Sequence, residues 1–278
     1  MSERYGLLSM WRDTSGLDAA RARELAFRNL EPRGQSPDEV AARREYLDLL
    51  ALKPGERVLD VGCGTGVVTR DAARRVTPGG RAVGLDSSAE LLALARGLAH
   101  EAALDEVVEF RQGDALALPF GDGEFDAVLA VTVLAHVPDG HRAIPEMVRV
   151  ARSGGRVGVF DFDGDGMLIS HPDRALTRRI IAAFSDQASV DGWLARRLPG
   201  LLRQAGLVEV GARGFVPIEQ DPAGFYARIA ERTAEVAAQS GAITDDERRR
   251  WLEDLTASRA AGDCLAGRVH LFSWGTKP

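Results

Sequence analysis

The stretch VLDVGCGTGVV, Val58 to Val68, places three glycines, Gly62, Gly64 and Gly66, on alternate positions directly after a short apolar run. A glycine turn between a strand and a helix lets the backbone approach a ligand closely, and the helix amino terminus favours acceptor or anionic groups nearby. The spacing narrows the choice of ligand. A dinucleotide fingerprint, G-x-G-x-x-G/A, requires glycine or alanine where this chain has Val67. A phosphate loop would close on Gly-Lys-Ser/Thr, which does not follow this turn. Other residues point to an adenosyl group. Asp86 stands ~20 residues beyond the turn at the end of a second apolar run, where a carboxylate can accept hydrogen bonds from both ribose hydroxyls. In GDALALPF, Asp114 and the backbone of Ala115 could read an adenine amino group and ring nitrogen, and FDAVLAVTVLAHV brings Val131 to His136 to the same edge.

Those residues must be presented by a common frame. From about Glu56 the chain alternates compact strand-type runs with helical stretches, which predicts parallel strands joined by crossover helices. Strands are expected at Val58–Val61, Ala82–Leu85, Val107–Arg111, Phe125–Val133 and Arg156–Phe162. Helices are expected at Val67–Val76, at Ser87–Ala99 with a Ser87/Glu90 capping box, and at Gly140–Ala151. A further helix leads into a strand near Leu207–Phe215, and VHLFSWGTKP reads as a last strand. The expected fold is α/β: a doubly wound, Rossmann-like, seven-stranded and mostly parallel sheet with helical lid insertions. Its segments would be an amino-terminal helical cap (1–50), a ligand-binding core (51–163), a helical lid insert (164–192), a core helix and strand (193–218), a second helical insert (219–264) and a final core strand (265–278). EPRGQSPDEV is the best candidate for a linker.

Composition sets outer bounds. With 35 Lys and Arg against 41 Asp and Glu, a net charge of −6 argues against a broad cationic face for nucleic acid or anionic lipid. Two cysteines, Cys63 and Cys264, are too few for a disulfide scaffold, and no Cys/His cluster has metal-ligand spacing. The amino terminus MSERYGLLSMWRD lacks the apolar core of a signal peptide, and no run approaches the ~20 apolar residues of a membrane span. A cytoplasmic protein acting on a small molecule, without nucleic acid or membrane partners and as a monomer or homodimer, is the expectation. DFDGDG, Asp161 to Gly166, imitates the start of a calcium loop but has Pro172 where the bidentate glutamate belongs. No metal is expected there; Asp161 and Asp163 mark the exit of a strand into the pocket.

Taken in order, VLDVGCGTG, GLDSS, GDALALPF, FDAVLAVTVLAHVPD and SGGRVGVFD resemble the class I S-adenosylmethionine-dependent methyltransferases, especially the small-molecule subgroup that includes quinone-biosynthesis enzymes. The resemblance covers residues 45–163 strongly and the remainder in outline. It implies S-adenosyl-L-methionine as cofactor, with Asp60 and the loop Gly62, Cys63, Gly64, Thr65 and Gly66 facing its methionine and ribose parts. It also implies ribose binding by Asp86, an adenine border at Ser87, adenine recognition by Gly113, Asp114 and Ala115, and a methionyl lining of Val131 and Thr132. Asp60 and Asp114 would serve equally as caps of a helix or turn, and Cys63 reads as a small loop residue rather than a nucleophile.

Such an enzyme aligns a nucleophile behind an electrophilic methyl and excludes water. A base is needed only for an acceptor that must lose a proton. His136 is the first candidate for that base or for orienting the acceptor, and it would serve equally by bonding neighbouring loops. His141 and His171 are weaker candidates. Tyr5, Trp11, Trp193, Phe225, Tyr226 and Trp251 would shape an apolar cavity or anchor helix packing. The Asn/Asp-Pro-Pro-aromatic motif of DNA amino-methylating enzymes is replaced here by VTVLAH, and the Asp-Asn pair of metal-dependent catechol enzymes is absent from FDFDGDG. The expected function is methyl transfer to an oxygen, carbon or nitrogen of a small, partly apolar metabolite. The alternatives are a cofactor-binding protein that transfers nothing and, further off, an NAD-dependent oxidoreductase.

Overall fold

The computed structural model describes residues 14–187 and 190–278; Tyr5 and Trp11 lie outside the described residues. The chain opens with helices α1 (Ala19–Leu25), α2 (Glu31–Gln35) and α3 (Pro37–Leu49), the first two joined by a π-helical turn at Ala26–Leu30. EPRGQSPDEV is therefore helical rather than a linker. Pro32 and Pro37 sit in the first turns of α2 and α3, where a missing N–H removes no helix bond. Glu31 is held by Arg70 at 2.8 Å.

The core alternates β1 (Arg57–Val61), α4 (Val67–Val76), β2 (Arg81–Asp86), α5 (Ala89–Glu101), β3 (Val108–Gln112), β4 (Phe125–Val131), α6 (Ala143–Val150) and β5 (Ala151–Ile169). Next come α7 (Arg174–Gln187), α8 (Leu194–Gln204), β6 (Val208–Phe215), the two-residue β7 (Ile218–Glu219), α9 (Phe225–Gln239), α10 (Asp245–Ala260) and β8 (Ala266–Thr276). The sheet order is β3-β2-β1-β4-β5-β8-β6, with β7 added beside β8. β1 to β5 run parallel, and β8 is antiparallel between β5 and β6. The chain reverses its winding between β1 and β4, and ligands of open α/β sheets lie at the carboxyl ends beside such a point.

Both faces of the sheet are covered, as parallel strands require. Leu59 and Val61 pack with Val83, Leu85, Val128 and the α6 residues Ile144 and Met147. Val58, one position away and on the opposite face, packs with Ala82, Leu129, Phe160 and the α3 residues Tyr46 and Leu47. Each fully buried Val or Leu contributes roughly 1.5–3 kcal/mol, so burial on both faces anchors the strand that carries the glycine loop.

Four boundaries differ from expectation. β4 stops at Val131 rather than Val133, because Thr132 takes a left-handed φ of 55°. α5 is capped by Ser88, whose side chain accepts from the Leu91 N–H, so the Ser87/Glu90 box does not form and the Ser87 hydroxyl meets that of Thr14 at 2.9 Å. The helix expected over Gly140–Ala151 splits into a 3-10 turn, Gly140–Arg142, and α6. β5 continues to Ile169, its register against β8 shifting between Phe162 and Met167. DFDGDG thus lies within β5 at the register shift, and the lid helix begins only at Arg174.

The two inserts form one helical body. Leu176 and Ile180 of α7, Ala230 and Ala234 of α9, and Trp251 and Leu255 of α10 share a buried cluster. Trp251 is fully buried there and donates its indole N–H to Thr177 Oγ1 at 2.9 Å. No helix among the described residues is long and apolar enough to cross a membrane.

Candidate functional site

The glycine loop leaves β1 with three left-handed residues, Gly62 (φ 73°), Gly64 (54°) and Gly66 (76°). At Gly62 the geometry admits no side chain, since a Cβ would stand 2.4 Å from a Val133 methyl. The loop's amides fasten it to the end of β2. Gly62 and Cys63 donate to the Leu85 carbonyl at 2.7 and 2.9 Å, and Gly64 donates to Asp86 Oδ2 at 2.8 Å. Arg70 closes the far side, bonding the Thr65 carbonyl at 2.7 Å while paired with Glu31. Gly66 turns the chain into α4 and is the one loop residue of the expected set that does not line the cavity.

Three carboxylates stand at the carboxyl ends of successive strands. Asp86 is buried, accepts from Gly64 and from the Ser88 N–H at 2.9 Å, and is raised from its ordinary pKa by burial. Two further lone pairs remain for a ligand. Asp60, 2% exposed, accepts from Thr69 Oγ1 at 2.6 Å. Burial, aided by the Asp86 charge and opposed by the Thr69 bond, pushes it up to about 7. Asp114 accepts the Leu116 N–H at 2.8 Å, an ordinary turn contact, while still bordering the cavity. Burial, with Asp86 and Asp60 beside it, pushes the Cys63 thiol well up, so it is no ready thiolate.

These groups open onto one cavity of about 960 Å³, at the upper end of the ~300–1,000 Å³ range of ligand sites. Asp60, Gly62, Cys63, Gly64 and Thr65 line it. So do Asp86, Ser87, Gly113, Asp114 and Ala115 from the next two strands, and Val131, Thr132 and His136 after β4. His136 lies against Phe162, with ring centroids 5.2 Å apart. Phe225 and Tyr226 border the cavity, whereas Trp193 is 52% exposed and donates to Asp165, and Trp251 is interior to the lid. His171 is likewise structural, stacked on Trp251 and bonded to its carbonyl at 2.9 Å. The acids of DFDGDG are engaged separately: Asp161 accepts the Ala135 and Phe162 amides, and Asp163 is paired with Arg196.

Sequence reasoning missed the basic residues of the wall opposite the carboxylates, though Phe225 and Tyr226 are among its candidates to shape the cavity. Arg33 of α2 donates to Thr132 Oγ1 at 3.0 Å and faces Glu39, which also accepts from the Tyr226 hydroxyl at 3.1 Å. Arg268 and His270 of β8 line the same wall, the imidazole kept neutral by burial and by the Arg268 charge. Their signal was present as alternate polar residues in GRVHLF. Only the sheet order makes it readable, because it places β8 between two strands.

The donor set suits an adenosyl sulfonium. Carboxylates stand at the ends of β1, β2 and β3 on one side of the cavity, and a basic and apolar wall faces them across it. α2 packs on the first turn of α4, with Gly34 so close to Val67 that a Cβ would lie 2.8 Å from the valine methyl, while Val67 and Val68 still line the cavity.

Known proteins similar to this chain in sequence or fold include methyltransferases. Residues 59–159 match a family profile described as a methyltransferase domain. An uncharacterized 37.1 kDa protein of a Streptomyces fradiae transposon is 33% identical over 235 residues, covering 80% of this chain and 67% of that protein. The 2-phytyl-1,4-naphtoquinone methyltransferase of a Synechocystis strain is 41% identical over 115 residues, or 41% of this chain. The match spans about half the length (48%) of that quinone enzyme. Among solved structures, a phosphoethanolamine N-methyltransferase of Haemonchus contortus, determined with S-adenosyl-L-methionine, shares the fold at a TM-score of 0.59 and 18% identity, over 98% of this chain and 60% of that one.

Proposed function

The chain belongs to the class I S-adenosylmethionine-dependent methyltransferases, and from that premise we propose that it methylates an oxygen, carbon or nitrogen atom of a small, partly apolar biosynthetic metabolite. The observation that carries the reading is the division of a single cavity between an acidic rim at β1, β2 and β3 and a basic, aromatic wall contributed by the lid and β8. When bound, S-adenosylmethionine would supply an electrophilic methyl for the acceptor's electron pair, the electrons of the broken carbon–sulfur bond staying on sulfur as a neutral thioether.

The protein's own part is positioning. Asp86 would hold the ribose hydroxyls, Gly113, Asp114, Ala115 and Ser87 the adenine, and Asp60 with the loop from Gly62 to Thr65 the methionyl and ribose parts. Val131 and Thr132 would line the methionyl end, where Arg33 fixes the Thr132 hydroxyl. His136, beside Phe162 in the same cavity, would orient an acceptor hydroxyl or take its proton. Lid helices α7 and α9 would exclude water. Val67, standing where a dinucleotide turn needs glycine or alanine, favours this reading over a dinucleotide. Incubating the protein with methyl-labelled S-adenosylmethionine and an extract of small metabolites tests it. Label in a low-mass product supports transfer; tight cofactor binding with no labelled product would favour a binding protein that transfers nothing.

A further inference from the structure

We propose that the acceptor is a carboxylate, its anionic group gripped by Arg268 at the lid side of the cavity while its apolar body lies among Phe162, Phe184 and Phe225. The proposal rests on the methyltransferase reading and specifies the substrate class for that site. Arg268 is 9% exposed, lines the cavity and lies flat against an aromatic ring, its guanidinium carbon 3.3 Å from the Phe162 centroid and 5.8 Å from that of Phe184. Stacking occupies the face of a guanidinium and leaves its in-plane N–H donors to be satisfied by something else. Among the described residues nothing does so: no acceptor bonds the Arg268 side chain, and its buried Nε is without a partner.

The neighbouring carboxylates are already committed. Asp161 accepts the backbone N–H groups of Ala135 and Phe162 at 3.0 and 2.9 Å, Asp163 is paired with Arg196 at 2.8 Å, and Glu39 faces Arg33 and Tyr226. Burial moves the guanidinium down to about 10, so at neutral pH it remains charged. A buried, ionised group with unused donors is costly unless a counter-ion arrives. The forked donor edge of arginine matches a planar carboxylate.

Charge along the cavity agrees. Asp60, Asp86 and Asp114 would repel an anion from the rim and serve the cationic cofactor, whereas Arg228 and Arg232 of α9 add positive charge on the lid side. The aromatic wall supplies the apolar contact that a bare inorganic anion would not use.

The test is calorimetric titration of the S-adenosylhomocysteine-loaded protein with a panel of short aryl- and alkyl-carboxylates, each beside its methyl ester. We expect the best acids to bind the wild type about 10- to 100-fold more tightly than their esters, the size of a charge-assisted hydrogen bond. Arg268→Met should abolish that preference and Arg268→Lys keep part of it. The proposal is overturned if no acid of the panel outbinds its ester or if the preference survives in Arg268→Met. Failure of S-adenosylhomocysteine to bind at the outset is a separate result, and it would overturn the methyltransferase reading itself.

Discussion

Asp60→Asn is the most informative single change, because its effect should reverse sign when cofactor is added. Burial raises Asp60 from an ordinary 3.8 to about 7. Between those values the folded protein holds a proton that the unfolded chain has lost, so Asp60 makes stability fall as pH rises, and the loss is complete above about 7. At ~1.4 kcal/mol per pH unit the upper limit is roughly 4 kcal/mol, and relaxation around the charge should reduce it to about 1–3 kcal/mol. Urea unfolding at about pH 4 and about pH 8 should therefore show Asp60→Asn gaining on the wild type by that amount as pH rises. A cationic cofactor favours the ionised carboxylate. If it pulls the bound-state pKa to its ordinary range, wild-type affinity for S-adenosylmethionine should weaken about 15-fold from pH 7 to pH 5.5, the ratio of the ionised fractions. The variant should bind more weakly than wild type at pH 7 and show a flatter profile over the same span. Parallel pH profiles for wild type and variant, in both assays, would refute the reasoning.

Other substitutions probe the remaining parts. Asp86→Ala should weaken cofactor binding by about 1–3 kcal/mol in a calorimetric titration, losing a ribose acceptor and the anchor of the Gly64 amide together. Gly62→Ala forces a methyl toward Val133 at a φ of 73°, and at about 1–3 kcal/mol of strain it should lower both the melting temperature and cofactor affinity. His136→Gln, assayed with an acceptor that must be deprotonated, should lower kcat about 10²-fold or more with little change in KM and remove one limb of the pH–rate profile. Unaltered turnover would leave His136 a cavity wall only.

The strand-turn-helix core was legible because it obeys local rules: apolar runs bounded by glycine and aspartate, and a helix stop at TPGG. α4 occupies the residues expected of it, and the seven-strand frame appears with only the short β7 added. Misreadings arose where tertiary contacts outweigh local signals. Pro32, Gly34 and Pro37 look like linker residues in isolation, yet the prolines fit first helical turns and the glycine permits α2 to press on Val67. Gly66 carries the loop pattern but serves the turn into α4 rather than the cavity wall. The basic wall was invisible because Arg33 and Arg268 are 235 positions apart, and only α2 folding over the sheet and β8 entering its middle bring them to one cavity.

The account depends on how the acidic rim takes an adenosyl sulfonium, and a crystal structure with S-adenosylhomocysteine tests that most directly. The ribose hydroxyls should lie within about 3.2 Å of the Asp86 carboxylate, the adenine edge should meet Asp114 and Ala115, and the sulfur should face the space between His136 and Arg268. A rim without ligand at saturating concentration, or a molecule bound with its adenine against the lid, would contradict it.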